Sequence, residues 1–162
     1  MQSGTPGGKR ADMTESSPAS RPAHFDPRGW PFFWMTQAVG RYLRKLEQHL
    51  KREGLDVARW RVLMSVGNRQ LGVSEIADLA IVKLPTMLKL IQRMEADGLV
   101  QCAPRVSDAR YTDVSLTPAG QEACDRAWTV ANAIYQTVFH DIPSEDEAHL
   151  NDVLKRVFER LG

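Results

Sequence analysis

From Phe32 onward, apolar residues return every three or four positions. Phe32, Met35, Val39, Tyr42, Leu43, Leu46 and Leu50 share one stripe of a helix. The spacing predicts a first helix to about Arg52, stopped by Gly54, with Arg41, Arg44, Lys45, Glu47, Lys51 and Arg52 on its polar face. A second helix is expected over about 56–67, with Asp56 as N-cap, Trp60, Leu63 and Met64 as its apolar rows, and Gly67-Asn68 as its end. Ser74 is then expected to cap a brief third helix whose Ile76, Ala77 and Leu79 face inward. After a turn at Ile81-Val82-Lys83, Pro85 suits the first turn of a fourth helix, where its missing N–H costs nothing. That helix should run to Asp97, with Leu84, Leu88, Ile91 and Met94 inside and Thr86, Lys89, Gln92 and Arg93 on or near the outside. Two helices joined by a tight turn, the second with a polar outer face, have the form of a helix-turn-helix.

The period changes at Leu99. Leu99–Ala103 and Tyr111–Leu116 alternate apolar or β-branched residues with polar ones, which predicts a β-hairpin whose charged tip is 104–110. Thr117-Pro118-Ala119-Gly120 opens a long helix to about His140. A terminal helix follows, with Ser144 and Glu147 spaced as a capping box. Its Leu150, Val153, Leu154, Val157, Phe158 and Leu161 form an apolar stripe broad enough to need a partner. The fold expected is mainly α with a small β-hairpin wing. Residues 55–116 form a winged helix-turn-helix region, 29–54 and 117–162 a helical dimerisation region, and 1–28 a disordered arm rich in Ser, Pro, Gly and Ala. A short extra helix near the end of that arm is the other reading, because His24–Pro27 and Trp30-Pro31 carry aromatic groups able to dock.

Length and composition narrow the class. A chain of 162 residues, 43% hydrophobic, supports one ordinary core. With no run of about eighteen apolar residues and no apolar signal core after Lys9-Arg10, the expectation is a cytoplasmic protein without a membrane partner. A net charge of +1 means that any affinity for nucleic acid must come from a local basic surface. Cys102 and Cys124 lack metal-ligand or disulfide spacing, and His24, His49, His140 and His149 are scattered, so no metal and no cofactor are expected. There is no Gly-rich phosphate loop, nucleophile elbow or His-Glu-x-x-His, and an enzyme is not indicated.

Four segments carry a resemblance: Trp60-Arg61-Val62-Leu63, Ile76-Ala77 through Arg93–Val100, Asp108-Ala109-Arg110, and Leu116–Gly120. Over about 30–161 the chain resembles the MarR (multiple-antibiotic-resistance regulator) family. Asp108-Ala109-Arg110 matches that family's Asp-x-Arg wing signature, while Cys102 and Tyr111 stand where it often has basic residues and Lys83 where it often has a capping Ser or Thr. The resemblance implies a homodimeric regulator on double-stranded, pseudo-palindromic DNA, with Arg110 reaching into the minor groove and Asp108 orienting it. Thr86 and Lys89, at the start of the recognition helix beside Pro85, are the base-edge candidates. Ser74, Lys83, Arg93 and Arg105 suit phosphates, and an internal ion pair to Glu95 or Asp97 is the other reading of Arg93.

The family packs its first two helices with the fifth around a ligand cavity. Phe33, Trp34, Tyr42, Trp60 and Met64 would line it here, with Arg41, Arg44, Arg59 or Arg61 nearby to supply a cation at its edge. Rings and a guanidinium suit an aromatic acid, or an aromatic acyl thioester, as the effector that releases DNA. Aromatic residues at helical spacing equally serve as plain core. The alternatives are a cysteine-based redox sensor and a helical interaction module without DNA binding.

Overall fold

The computed structural model describes residues 26–162, which fall into two compact units, one ending at Thr36 and the other spanning Gln37–Gly162. The arm expected over 1–28 lies outside the described residues as far as residue 25. In the first unit the Asp26 carboxylate accepts from Arg28 N at 2.9 Å and caps a 3-10 turn, Pro27–Gly29, where either a disordered arm or a short helix was expected. Trp34 Nε1 donates to the Arg28 carbonyl at 2.8 Å, and Phe33 meets Trp34 edge-on with ring centroids 5.1 Å apart.

Helix α1 spans Pro31–Leu50, and in the second unit its Leu46 and Leu50 are fully buried. α2 (Val57–Val66) starts at the expected cap, where Asp56 accepts from Arg59 N at 2.7 Å. A two-residue strand β1 (Leu71–Gly72) leads into α3 (Val73–Ala80), and α4 (Leu84–Ala96) completes the helix-turn-helix. The wing is β2 (Val100–Arg105) and β3 (Asp108–Leu116), followed by α5 (Pro118–Phe139) and α6 (Ser144–Leu161). The sheet is antiparallel in the order β1-β3-β2.

Several expectations are corrected. β1 was not foreseen, because two residues are too short to show a period of two. The wing strands run further than expected, since Pro104, Arg105 and Asp108–Arg110 join the ladder and leave only Val106-Ser107 as the turn. Ser74 does not cap α3: the helix begins one residue earlier, and Glu75 reaches back to accept from Gly72 N at 2.6 Å. The inner row of α4 is Met87, Ile91 and Met94, whereas Leu79, Leu84 and Leu88 are exposed. In α2 the buried row is Val62, Leu63 and Val66, with Trp60 and Met64 only partly buried at its edge. Ser144 caps nothing, and Glu147 instead accepts from the Tyr135 hydroxyl at 2.7 Å.

The core gathers Val62, Leu63, Ile76, Met87, Met94 and Val114 between the helices and the sheet. At the junction of wing and α5, Thr117 Oγ1 accepts from Gly120 N at 3.0 Å and donates to the Gly98 carbonyl. Gly120 passes so close to Leu99, just ahead of β2, that a Cβ there would sit 1.8 Å from the Leu99 carbonyl oxygen. α6 buries none of its own residues, and Phe158 and Leu161 are more than two-thirds exposed. Among the described residues no helix is long and apolar enough to cross a membrane, and no cluster of His, Cys, Asp and Glu could hold a metal.

Candidate nucleic-acid interface

Helix α4 turns its apolar row into the core, so the opposite face is left to solvent. Pro85, Thr86, Lys89, Gln92 and Arg93 are all exposed there. Pro85, Thr86, Lys89 and Arg93 border one shallow recess of about 240 Å³ with Ala58 and Leu90. The side chains of Lys83, Lys89 and Arg93 form no ion pair or hydrogen bond within the described residues. Arg93 therefore does not take the internal partners open to it in the sequence: Asp97 pairs with Arg59, and Glu95 accepts from Cys102 N at 3.0 Å. Ser74 is exposed in the first turn of α3. A helix face holding cationic donors without internal partners is what a polyanion requires.

The wing supplies a second group. Arg110 Nε donates to Asp108 Oδ1 at 3.0 Å and Nη2 to Oδ2 at 2.7 Å, a two-pronged pair that fixes the direction of the guanidinium while its side chain stays 85% exposed. The same hydrogen bonds hold the Asp108 carboxyl below the ordinary carboxylate range. Arg105 behaves differently. It donates through Nε to Asp113 at 2.8 Å and through Nη2 to Glu75 at 2.7 Å, and its guanidinium carbon lies 5.6 Å from the Tyr111 ring centroid. Glu75 and Asp113 were not foreseen as partners of Arg105, because one lies 30 residues upstream and the other is brought to it only by the pairing of the hairpin.

The aromatic candidates divide between the two units. Phe33 and Trp34 belong to the first. In the second, Tyr42 and Trp60 meet edge-to-face with centroids 6.1 Å apart, and Met64 is partly buried on the same helix as Trp60. Trp60 Nε1 is buried and has no hydrogen-bond partner among the described residues. Burial raises the Tyr42 hydroxyl above its ordinary value. Arg59 is committed to Asp97 and Asp56, and Arg61 donates to the Ala80 carbonyl at 3.1 Å, whereas Arg41 is exposed and its side chain has no partner within the described residues. The thiols are poorly placed for redox sensing: burial and Glu95 push Cys102 up to about 11, and burial raises Cys124.

No family model matches the chain. It is 37% identical over 159 residues to the HTH-type transcriptional repressor IacR of Pseudomonas putida, covering 93% of this chain and 95% of that one. Its fold matches the crystal structure of a MarR-family transcriptional regulator from Silicibacter pomeroyi at a TM-score of 0.76, with 25% identity over 83% of this chain and 92% of the other. The chain belongs to the MarR family. A further relative, 28% identical over 127 residues (78% of this chain, 83% of the other), is the homoprotocatechuate degradative operon repressor of Escherichia coli. As a MarR-family member the chain is a winged helix-turn-helix transcriptional regulator and not an enzyme, with α3 and α4 as its helix-turn-helix and β2–β3 as its wing.

Proposed function

We propose that this regulator is a cytoplasmic repressor that binds a pseudo-palindromic operator as a homodimer and releases it when an aromatic acid occupies the second unit beside Trp60. What carries the DNA reading is the outer face of α4, where Thr86, Lys89 and Arg93 stand exposed and the two cations have no partner among the described residues. Thr86 and Lys89 read base edges, Lys83, Ser74 and Arg93 meet phosphates, and Arg110 enters the minor groove. The homodimer reading rests on α6, whose exposed Leu150, Leu154, Phe158 and Leu161 would be an apolar liability in a monomer. A titration of duplex DNA at rising salt tests the binding: log K should fall linearly with log salt, by about 0.9 for each phosphate contacted. Affinity indifferent to salt, or absent, favours an interaction module instead.

The effector reading rests on Trp60. A buried donor without a partner costs about 1–3 kcal/mol, which a ligand oxygen accepting from Nε1 would recover. The ring of an aromatic acid packs against Tyr42, Trp60 and Met64, and Arg41, with no side-chain partner among the described residues, is placed to meet a carboxylate. Arg59 is the weaker choice because two aspartates already hold it. The relative named for the homoprotocatechuate degradative operon points to the same class of compound. Benzoate-, cinnamate- and salicylate-type acids and their acyl thioesters should raise the melting temperature and release operator DNA; if none does either, this effector class is wrong.

A further inference from the structure

The ion-pair cluster around Arg105 has no part in the DNA-binding role as proposed so far. Arg105 ends β2 at an irregularity in the ladder, where the pairing steps from Pro104–Thr112 to Arg105–Asp108. Its guanidinium then reaches Asp113 on β3 and Glu75 on α3, and lies over Tyr111. Glu75 holds Gly72 N with the oxygen that receives Arg105 Nη2, and Gly72 pairs with Asp113 in the sheet. These contacts close a ring running from Gly72 through Glu75 and Arg105 to Asp113. A Cβ on Gly72 would fall 2.6 Å from Arg105 Nη2 and 2.8 Å from Glu75 Oε2, so the ring needs glycine at that point.

We propose that Arg105 is the pin that fixes the wing to the first helix of the helix-turn-helix, and that Glu75 and Asp113 are positioning residues which set where Arg110 meets DNA. The proposal rests on the DNA-binding reading above and deepens it. Two carboxylates share the Arg105 guanidinium, so a phosphate would have to displace them, whereas Arg110, five residues on, keeps an exposed guanidinium aimed by a single aspartate. The ladder that ties the wing to the start of α3 is two residues long at β1, short for an element that must hold a minor-groove probe in place. A pin spanning α3 and both wing strands supplies that rigidity, and an arginine fits it because its planar fork serves two acceptors at once.

The sign of a charge-removing substitution separates a pin from a phosphate contact. Glu75→Gln keeps an oxygen for Gly72 N and removes a negative charge from a DNA-facing surface; electrostatics alone predicts tighter binding. The pin predicts weaker binding. The full chain is first used to select a pseudo-palindromic duplex from a randomised pool, and variants are titrated on that duplex with A·T flanks. Glu75→Gln and Asp113→Asn should each weaken binding about tenfold, and both losses should vanish in an Arg110→Ala background, because the pin acts through Arg110. Arg105→Gln should leave the salt slope unchanged. Thermal unfolding of each variant reports its fold, and Asp113→Asn probes the pin from the strand side should Glu75→Gln disturb α3. Carboxamide variants that bind as tightly as the parent or tighter, losses additive with Arg110→Ala, or a salt slope reduced by about one in Arg105→Gln would overturn the pin. Failure of the parent chain to select any duplex would instead sink the DNA-binding reading, and the pin with it.

Discussion

At the residue scale, one chemical type serves opposite ends according to its partners. Arg110 and Arg105 lie on the same hairpin, yet one is exposed and aimed by Asp108 while the other is divided between Asp113 and Glu75. Arg110→Ala should therefore weaken operator binding most on A·T-rich flanks, where the narrow minor groove concentrates negative potential; equal losses on G·C flanks would show that Arg110 only meets phosphate. Lys89→Ala should cost about 1–3 kcal/mol and relax the preference at one base pair per half-site, read by competition among single-base operator variants. Cys102 gives a pH test. Its folded value, about 11, lies above the ordinary 9.0, so the stability it contributes is present below pH 9 and disappears as pH rises towards 11. Alkylation of the folded chain at pH 8 should accordingly be much slower than alkylation of the unfolded chain, and equal rates would return the redox reading to contention. The Asp108 to Arg110 pair was legible because both residues sit in one short motif. The Arg105 ring was not, because its partners lie 30 residues upstream and 8 downstream.

At the scale of elements, periodicity located the helices better than it oriented them. α4 has apolar residues at Leu84, Met87, Leu88, Leu90, Ile91 and Met94, more than one stripe can bury, and the sequence gives no reason to prefer the Met87 row over the Leu84 and Leu88 row. What decides is how α3 and α2 approach the helix, which is a tertiary fact. Capping was readable where side chain and target are adjacent, as at Asp56 and Thr117, and misread where a glutamate had a better use, as with Glu147. At Gly120, α5 approaches the Leu99 carbonyl just ahead of β2 closely enough to leave no room for a Cβ. Gly120→Ala should push the Leu99 carbonyl aside and destabilise the fold by about 1–3 kcal/mol or more, read as a lowered melting temperature. An unchanged midpoint would mean that the junction relaxes freely.

At the scale of the whole molecule, the features left over by a single chain are an apolar α6 and a cationic recognition face. The two-fold dimer proposed above would cover the first and duplicate the second. Light scattering at micromolar concentration should give the mass of a dimer, and Phe158→Asp should shift it towards that of a monomer, since Phe158 is 78% exposed and Asp would bury a charge at the interface. The measurement that bears most directly on the account is a footprint of the full-length protein on the DNA flanking its own gene. The account predicts two protected half-sites related by a dyad, with centres about 10–10.5 base pairs or a multiple of that apart, and protection that fades as salt rises. Uniform protection without a dyad, or no protection at low salt, would contradict it.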